Sequence, residues 1–331
     1  MSETIKAAVY ETHGNPTEVL RVVEQPRPTP ADQEVLVEMR AAPLNPADIN
    51  AIEGSYPVRP TLPASPGMEG AGVVVELGRS ATGVKVGDLV IVPHNTGTWR
   101  EAIAVPAEKV VVVPAGIEPV QAAMLKVNPI TAWRMLHDFQ SLGTGDWFIQ
   151  NAANSAAGRA AIQIGYELGL RSVNVVRRSE LIDELKSEGA DVVLLDDDQL
   201  RDRVVESTGR APIRLALNAV GGKSALRIAK CLASDGTMVT YGAMSLHPVT
   251  IPNGMLIFKN LKFTGFWVTK WYDGATAAER AETFGPIFAM AKRGLLRTKV
   301  EATYSLDDAI AAVGHAMRSQ RGGKVVFGFG G

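Results

Sequence analysis

The first 115 residues alternate short apolar runs with turn residues. Gly, Pro, Asn and Asp separate β-branched runs such as EVLVEMRAAPLN, GAGVVVELG, DLVIVPH and KVVVVPAG, a pattern typical of short strands. Prolines recur between Ala41 and Gly67 and are expected to break up any helix there. This pattern predicts a compact, largely antiparallel β-rich domain.

From about Glu118 the pattern changes to helical spacing and then to alternating strands and helices. Short apolar strands without alternation suit a parallel sheet covered on both faces. Repeated strand–helix connections predict a doubly wound sheet. The predicted strands are DWFIQ, RSVNVV, DVVLL, IRLALNAV, TMVTYG and LKFTGFWV. We place the doubly wound domain at 121–269 and the β-rich domain at 1–120, completed by a C-terminal segment at 270–331.

Composition and charge narrow the classes of function. The 331 residues are 46% hydrophobic and 21% charged, which suits two globular domains. A net charge of −1 argues against a nucleic-acid partner. The single cysteine, Cys231, fits a reducing compartment and an inert packed thiol. With no visible targeting segment and no apolar run of about 18 residues, we expect no membrane span and a cytoplasmic location.

A possible phosphate-binding turn lies in FIQNAANSAAGRAAIQIGYELG, residues 148–169. A dinucleotide-binding fold carries Gly-x-Gly-x-x-Gly at such a strand–helix turn. Here Ala153 and Ser155 occupy the first two glycine positions, and only Gly158 matches. A helix N-terminus attracts pyrophosphate, and the Ser155 hydroxyl and Asn154 amide could donate to it. By itself the turn fits a phosphate site and an ordinary strand–helix junction equally well.

The next predicted strand favours a cofactor and indicates which one. An NAD site usually has an acidic residue about 20 positions after the turn, where it binds the ribose hydroxyls. At that place this chain has Arg177 and Arg178. Guanidinium groups suit a 2′-phosphate, so the sequence favours NADPH over NADH.

The order of the parts resembles the medium-chain dehydrogenase/reductase superfamily, which implies a GroES-like first domain and a Rossmann second domain. PGMEGAGVVVELG at 66–78 is similar to the superfamily's Gly-His-Glu-x-x-Gly segment, with Met68 where zinc-dependent members have a histidine ligand. Catalytic zinc in such enzymes also needs thiolates, and the only cysteine lies far away in the other domain. We therefore expect a zinc-independent enzyme.

Longer stretches are similar to one zinc-free group, the mitochondrial-type 2-enoyl thioester reductases. The resemblance runs nearly end to end, and the turn NAANS resembles that group rather than the AAGGVG of quinone reductases. The stretches that carry it are NPADINAIEGSYPVRP, KVNPITAWRML, GDWFIQNAANSAAGRAAIQIG, SVNVVRR and GFWVTKW.

This resemblance implies roles for particular residues. Tyr56 matches the tyrosine that donates a proton to the substrate. The cofactor-contacting positions are matched by Asn128, Asn154, Ser155, Ala156, Ala157, Gly158, Arg177, Arg178, Ser179, Tyr241, Gly242, Ala243, Met244, Phe266, Trp267, Val268 and Lys324. Two departures are Ala156, where the group often has glycine, and the pair Arg178-Ser179, where Asp-Arg is common.

The implied reaction is NADPH-dependent reduction of a trans-2-enoyl thioester of coenzyme A or acyl carrier protein, in fatty acid metabolism. Hydride adds to the β-carbon, and Tyr56, protonated as an ordinary tyrosine is at neutral pH, donates to the α-carbon. The acyl-pocket residues, and hence the chain length, are not identified by the sequence. Trp267 and Trp271 fit an acyl pocket, a core or an interface. The resemblance also implies that the late strand pairs across a subunit boundary, which predicts a homodimer.

Two alternatives stay open at this point. One is an NADPH-dependent quinone oxidoreductase, or a reductase of other activated alkenes, on the same scaffold. Quinone reduction needs no proton donor at an α-carbon, so the role of Tyr56 discriminates between the two reactions. The other alternative is a protein that binds NADPH without catalysing a reaction.

Overall fold

The computed structural model describes residues 3–330, which form two compact units. The first unit contains the chain up to Val127 and again from Arg297 onward, and the second contains Asn128–Leu296. The boundaries predicted at 120/121 and 269/270 both lie earlier in the chain than those of the structure, which fall at 127/128 and 296/297. The helix Ala277–Lys292 packs against the helix Asn128–Asp138, so this part of the expected return segment belongs to the second unit.

The first unit is built on a seven-stranded, mainly antiparallel sheet and a separate two-stranded ribbon. Trp99 and Phe327 make edge contact in its core. The ribbon pairs β1 (Thr4–Val9) with β2 (Arg21–Pro26). The sheet contains β3 (Glu34–Pro43), β4 (Ala71–Leu77), β5 (Leu89–Ile91), β6 (Ala102–Pro106), β7 (Val111–Val112), β14 (Val300–Tyr304) and β15 (Lys324–Gly328). The helices are α1 (Pro16–Val19), α2 (Pro46–Glu53), α3 (Pro119–Ala122) and α12 (Ala309–Ala316), with 3-10 turns at Ala107–Lys109 and Leu306–Asp308.

The second unit is a six-stranded, wholly parallel sheet with helical connections. Its strands are β8 (Trp147–Gln150), β9 (Arg171–Val176), β10 (Val192–Leu195), β11 (Ile213–Asn218), β12 (Thr237–Thr240) and β13 (Lys262–Gly265). The helices are α4 (Asn128–Asp138), α5 (Ala156–Glu167), α6 (Leu181–Ser187), α7 (Leu200–Ser207), α8 (Gly222–Lys230), α9 (Asn253–Ile257), α10 (Val268–Gly274) and α11 (Ala277–Lys292). The order β10-β9-β8-β11-β12-β13 is that of a doubly wound dinucleotide-binding sheet, as predicted.

Three local expectations differ from the structure. α2 forms inside the proline-rich segment because Pro46 occupies its first turn, where proline is tolerated. The segment with helical spacing after Glu118 forms two helices, α3 and α4, separated at residues 123–127. Val268 begins α10 instead of continuing the last strand of the parallel sheet. Within residues 3–330, no helix is both long enough and apolar enough to cross a membrane.

Candidate functional site

The turn between β8 and α5 is held by its own side chains. Ser155 is the N-cap of α5, and its hydroxyl oxygen accepts the Gly158 N–H at 3.1 Å. Ala152 has φ of 47°, in the left-handed region that glycine adopts most easily. The strained position of the turn is therefore Ala152, one residue before the positions at which the fingerprint expects glycine.

Gly158 is the retained glycine, and its surroundings explain why a side chain is excluded there. A Cβ at this position would lie 2.6 Å from the carbonyl oxygen of Ala153 and 2.8 Å from that of Ala152. The first turn of α5 thus packs directly on the backbone that leads into it. This close approach is the helix–turn packing that a fingerprint glycine permits.

Buried side-chain amides in the parallel sheet hold the turn between β8 and α5 in place, and the sequence analysis made no assignment for them. Gln150 Nε2 donates to the Gly158 carbonyl at 2.9 Å and to Asn174 Oδ1 at 2.7 Å. Asn151 Nδ2 donates to Asn218 Oδ1 at 2.8 Å, and Asn151 Oδ1 accepts the Ala219 N–H at 2.7 Å. The available signal was a polar residue in an otherwise apolar strand, at or just after its end in FIQN and ALNAV and inside it in VNVV.

Two of the predicted cofactor residues have buried polar atoms without a good partner. Asn128 Nδ2 and Tyr241 Oη are both inaccessible to solvent and lack a hydrogen bond of good geometry. Burial raises the pKa of the Tyr241 hydroxyl to about 12, an effect that the neighbouring Ser155 hydroxyl partly offsets, so the phenol is neutral. Since buried polar groups are normally paired, such atoms indicate a place for a ligand.

Arg177 and Arg178 follow β9 directly, as predicted. Arg177 is exposed, whereas Arg178 is half-buried and forms an ion pair with Glu180 at 3.2 Å. A carboxylate therefore lies close to Arg178 at this strand end. Arg177 is therefore the better placed of the two for an anion from solvent, and Ser179 beside them is exposed.

The remaining predicted cofactor residues of the second unit follow the carboxyl ends of other parallel strands. Backbone bonds hold two of these segments, from the Tyr241 N–H to Asn218 and from the Phe266 N–H to Thr240. In doubly wound sheets ligands bind at this edge. The residues after β12 are Tyr241, Gly242, Ala243 and Met244, and those after β13 are Phe266, Trp267 and Val268.

Tyr56 lies in the first unit, in the loop after α2. Gly54 ends α2 in the left-handed conformation, where a Cβ would lie 2.9 Å from the His13 ring. The N–H groups of Ser55 and Tyr56 then both donate to the Asn50 carbonyl, at 2.9 and 3.1 Å. The Tyr56 side chain is half-buried, and its backbone is fixed to the helix.

Lys324 also lies in the first unit, at the start of β15. Its side chain is buried, and Nζ donates to Asn45 Oδ1. Burial lowers the pKa of the Lys324 ammonium, while the charges of Glu69 and Asp48 oppose that shift. Its proposed contact with the cofactor stays a prediction.

The donor set does not fit a catalytic zinc ion. Met68 stands at the histidine position, and its N–H donates to Asp48 Oδ1 at 2.9 Å. Across residues 3–330 there is no group of three or more His, Cys, Asp or Glu residues that could hold a metal ion. Cys231 ends α8 in the other unit, where burial raises the thiol pKa to about 12. No step of the chemistry below uses zinc.

Comparison with known families agrees with the two units. The family described as "Alcohol dehydrogenase GroES-like domain" matches residues 31–115, and the one described as "Zinc-binding dehydrogenase" matches residues 156–283. The predicted fold class, a GroES-like β-rich domain with a Rossmann domain, is thereby confirmed.

Curated relatives extend the likeness over almost the whole chain. The enoyl-acyl-carrier-protein reductase of Xenopus tropicalis is 46% identical over 84% of this chain and 81% of its own length. That of Homo sapiens is 41% identical over 95% of this chain and 86% of its own length. Both names end in "mitochondrial". The expected cytoplasmic location is contradicted by these names.

Solved structures with the same fold include two kinds of reductase. A complex of Etr1p with NADP and crotonyl-CoA has a TM-score of 0.90 and 33% identity, covering 98% of this chain and 100% of that one. A putative NADPH:quinone reductase from Bacillus thuringiensis has a TM-score of 0.91 and 30% identity, covering 99% of each chain. The fold is common to both, and the curated relatives decide between them. The chain belongs to the enoyl-acyl-carrier-protein reductase family, the mitochondrial-type 2-enoyl thioester reductases of the medium-chain dehydrogenase/reductase superfamily.

Proposed function

We propose that this chain is an NADPH-dependent reductase of trans-2-enoyl thioesters carried on coenzyme A or acyl carrier protein. The observation that carries the proposal is the likeness to the Etr1p complex with NADP and crotonyl-CoA, at 33% identity over 98% of this chain. The names of the curated relatives agree with this activity. The substrate is thus a small acyl thioester, and the reaction belongs to fatty acid metabolism.

In this proposal the second unit holds the cofactor through residues at the turn before α5, at two strand ends and at the start of α4. The N-terminus of α5, capped by Ser155, receives the pyrophosphate. Asn128 Nδ2 and Tyr241 Oη, both buried without a good partner, hydrogen-bond to the cofactor. Arg177 at the end of β9 pairs with the 2′-phosphate. When bound, NADPH supplies the hydride that adds to the substrate β-carbon.

Tyr56 supplies the proton. Hydride addition leaves an enolate whose electron pair is shared between the α-carbon and the thioester oxygen. The Tyr56 O–H bond breaks as the C–H bond at the α-carbon forms, and the phenolate then recovers a proton from water. The loop after α2 holds the Tyr56 backbone through Asn50, which keeps the donor in one place.

The same chain assembles as a homodimer in this proposal. β13 is the last strand in the order of the parallel sheet, so one of its edges is open to a further strand. Large apolar side chains are exposed in the segments just before it: Leu246 at 90%, Ile257 at 70% and Phe258 at 84%. The open edge of β13 and the exposed apolar groups between β12 and β13 together favour a second copy.

Light scattering after size exclusion tests this assembly. The dimer has twice the 35.3 kDa mass of one chain. Phe258→Glu should weaken it, whereas Tyr166→Glu, on a side chain that is 67% exposed on α5, should leave it intact. A monomeric wild-type protein would refute the dimer.

Quinone reduction is the second candidate, because the structure from Bacillus thuringiensis matches as well as the Etr1p complex. NADPH oxidation should be followed with crotonyl-CoA, with a quinone and with no acceptor. Turnover with crotonyl-CoA supports the thioester reductase, and turnover with the quinone alone replaces it. NADPH binding without turnover on any acceptor would indicate the non-catalytic alternative.

A further inference from the structure

Four polar side chains are buried together at the start of α2. They are Asn45, Asp48, Glu69 and Lys324, exposed by 4%, 1%, 0% and 7% respectively. We call them the Asn45 network. They come from the turn after β3, from α2, from the segment before β4, and from the start of β15.

Asn45 is the centre of the network because its side chain bonds in two directions. Its Nδ2 donates to Glu69 Oε1 at 2.9 Å, and its Oδ1 accepts from Lys324 Nζ. The Asn45 N–H donates to Asp48 Oδ2 at 2.7 Å, which closes the first turn of α2. Asn45, the residue before α2, is therefore held in place by hydrogen bonds from its backbone N–H, its Nδ2 and its Oδ1.

The two carboxylates extend this hold to the backbone of other segments. Asp48 Oδ1 accepts the Met68 N–H at 2.9 Å, and Glu69 Oε2 accepts the Val127 N–H at 2.8 Å. The Leu44 N–H also donates to the Val325 carbonyl, next to Lys324. The start of α2 is thus fixed against the segment before β4, the connection between α3 and α4, and β15.

Stability alone is a poor reason for this arrangement. Burying three ionisable groups costs more than burying apolar side chains of similar volume, and burial raises the pKa of the Asp48 carboxyl to about 7. Buried ion pairs commonly contribute little net stability. Buried polar groups of this kind are best known for fixing geometry. The geometry fixed here is that of α2, which has only 8 residues, so its tertiary contacts decide where it lies.

We propose that the Asn45 network is a positioning device for Tyr56, with Lys324 acting through Asn45. This inference rests on the proposed function, in which Tyr56 is the proton donor, and it replaces the cofactor contact predicted for Lys324. The network fixes the start of α2, and buried Ile49 and Ile52 anchor its middle. The Asn50 carbonyl in α2 then fixes the Ser55 and Tyr56 N–H groups. Displacing the start of the helix therefore displaces the donor.

Lys324→Met tests the inference, because it removes the charge and the donor while it keeps most of the volume. We expect kcat with crotonyl-CoA to fall by about 10-fold or more, since small displacements of a catalytic group are costly. The Kd for NADPH, measured by fluorescence, should stay within about 2-fold, as expected for a residue whose effect is confined to the donor loop. A raised Kd with unchanged kcat would make Lys324 a cofactor contact and overturn the inference.

The second arm is a double-mutant cycle with Tyr56→Phe. If Lys324 acts through Tyr56, Lys324→Met should change kcat by less than about 2-fold in the Tyr56→Phe background. An equal loss in both backgrounds would overturn the inference. If Lys324→Met folds poorly, Glu69→Gln replaces it as a milder change in the same network. Its effect on kcat should likewise be less than about 2-fold in the Tyr56→Phe background.

A structural arm does not depend on activity. Hydrogen exchange at the Ser55 and Tyr56 amides should quicken by about 10-fold in Lys324→Met, because their bonds to Asn50 depend on a fixed α2. The matched control is Gln121→Met, which removes two bonds to the Thr298 backbone elsewhere in the first unit. Unchanged exchange in Lys324→Met would refute the positioning role even if the protein proved to reduce a different substrate.

Discussion

The two polar regions of the molecule differ in how completely their buried atoms are paired. In the Asn45 network both carboxylates accept two hydrogen bonds each, and the Asn45 amide is used at both atoms. Around the α5 turn, Asn128 Nδ2 and Tyr241 Oη remain without a good partner. A satisfied buried network maintains the architecture, whereas a buried polar atom without a good partner is available to a ligand or an ordered water.

This difference predicts different responses to substitution. Changes in the satisfied region should act on geometry, and therefore on kcat. Changes in the unsatisfied region should act on the cofactor, and therefore on the binding constant for NADPH.

The largest effect is expected for Tyr56→Phe, which removes the proton donor that the Asn45 network is proposed to position. The loss of a general acid should lower kcat with crotonyl-CoA by about 100- to 10,000-fold. The Kd for NADPH should stay the same. Tyr166→Phe, at an exposed tyrosine of α5, is the control in stopped-flow and steady-state assays. Full thioester activity in Tyr56→Phe would remove this residue from its role without changing the enzyme class.

The next effect concerns the backbone of the cofactor turn. Gly158→Ala would place a Cβ 2.6 Å from a backbone oxygen that cannot move easily, and should lower the free energy of unfolding by about 2–3 kcal/mol. Gly314→Ala in α12 is the matched control, since its Cβ would meet only a Thr17 methyl at 3.9 Å. The control should be neutral or slightly stabilising in urea unfolding. Similar losses in both variants would show that the turn is not specially close-packed.

A smaller effect is expected on cofactor choice. Replacing Arg177 and Arg178 together by alanine should raise the KM for NADPH by about 10-fold or more, because charge-assisted bonds to a phosphate are lost. The KM for NADH should hardly change. Arg171→Ala, an exposed arginine at the other end of β9, is the control. Equal effects on both cofactors would defeat the 2′-phosphate contact.

The smallest effect tests the unpaired hydroxyl directly. Tyr241→Phe removes a buried hydroxyl that has no good hydrogen-bond partner. Without NADPH, the free energy of unfolding of the variant should therefore exceed that of the wild type by about 1 kcal/mol or less. With saturating NADPH the wild type should be the more stable of the two proteins, because only its Tyr241 hydroxyl can hydrogen-bond to the cofactor. Thermal unfolding with and without NADPH measures both states. A destabilised variant without cofactor would mean that the hydroxyl is already paired.

The sequence placed the candidate cofactor segments after the strands of the parallel sheet, because the signals there are local, and their contact with a cofactor stays a prediction. Each segment follows a predicted strand, and parallel strands bring their carboxyl ends to one edge. Two details of the turn were not accessible in the same way. The positive φ at Ala152 and the amide bonds beneath Gly158 depend on how β8, β9 and α5 pack together.

The first unit was harder to predict. The proline spacing predicted that no helix forms between Ala41 and Gly67, yet α2 begins at Pro46 within that segment. Lys324 was assigned a cofactor contact by resemblance, and no pattern near residue 324 indicates a bond to Asn45. The domain boundaries were also placed too early, because the contact between α11 and α4 is not visible in either segment alone.

The sequence by itself determined the order of strands and helices, the small-residue turn, the arginines after β9 and the family motifs. These features are periodic or contiguous, so neighbouring residues specify them. Only the tertiary structure decided which buried polar atoms are paired. Lys324 and Asn45 are 279 residues apart, and Glu69 and Val127 are 58 apart. Such pairs form only when the whole sheet has brought their strands together, since each polar group finds its partner in space and not along the chain.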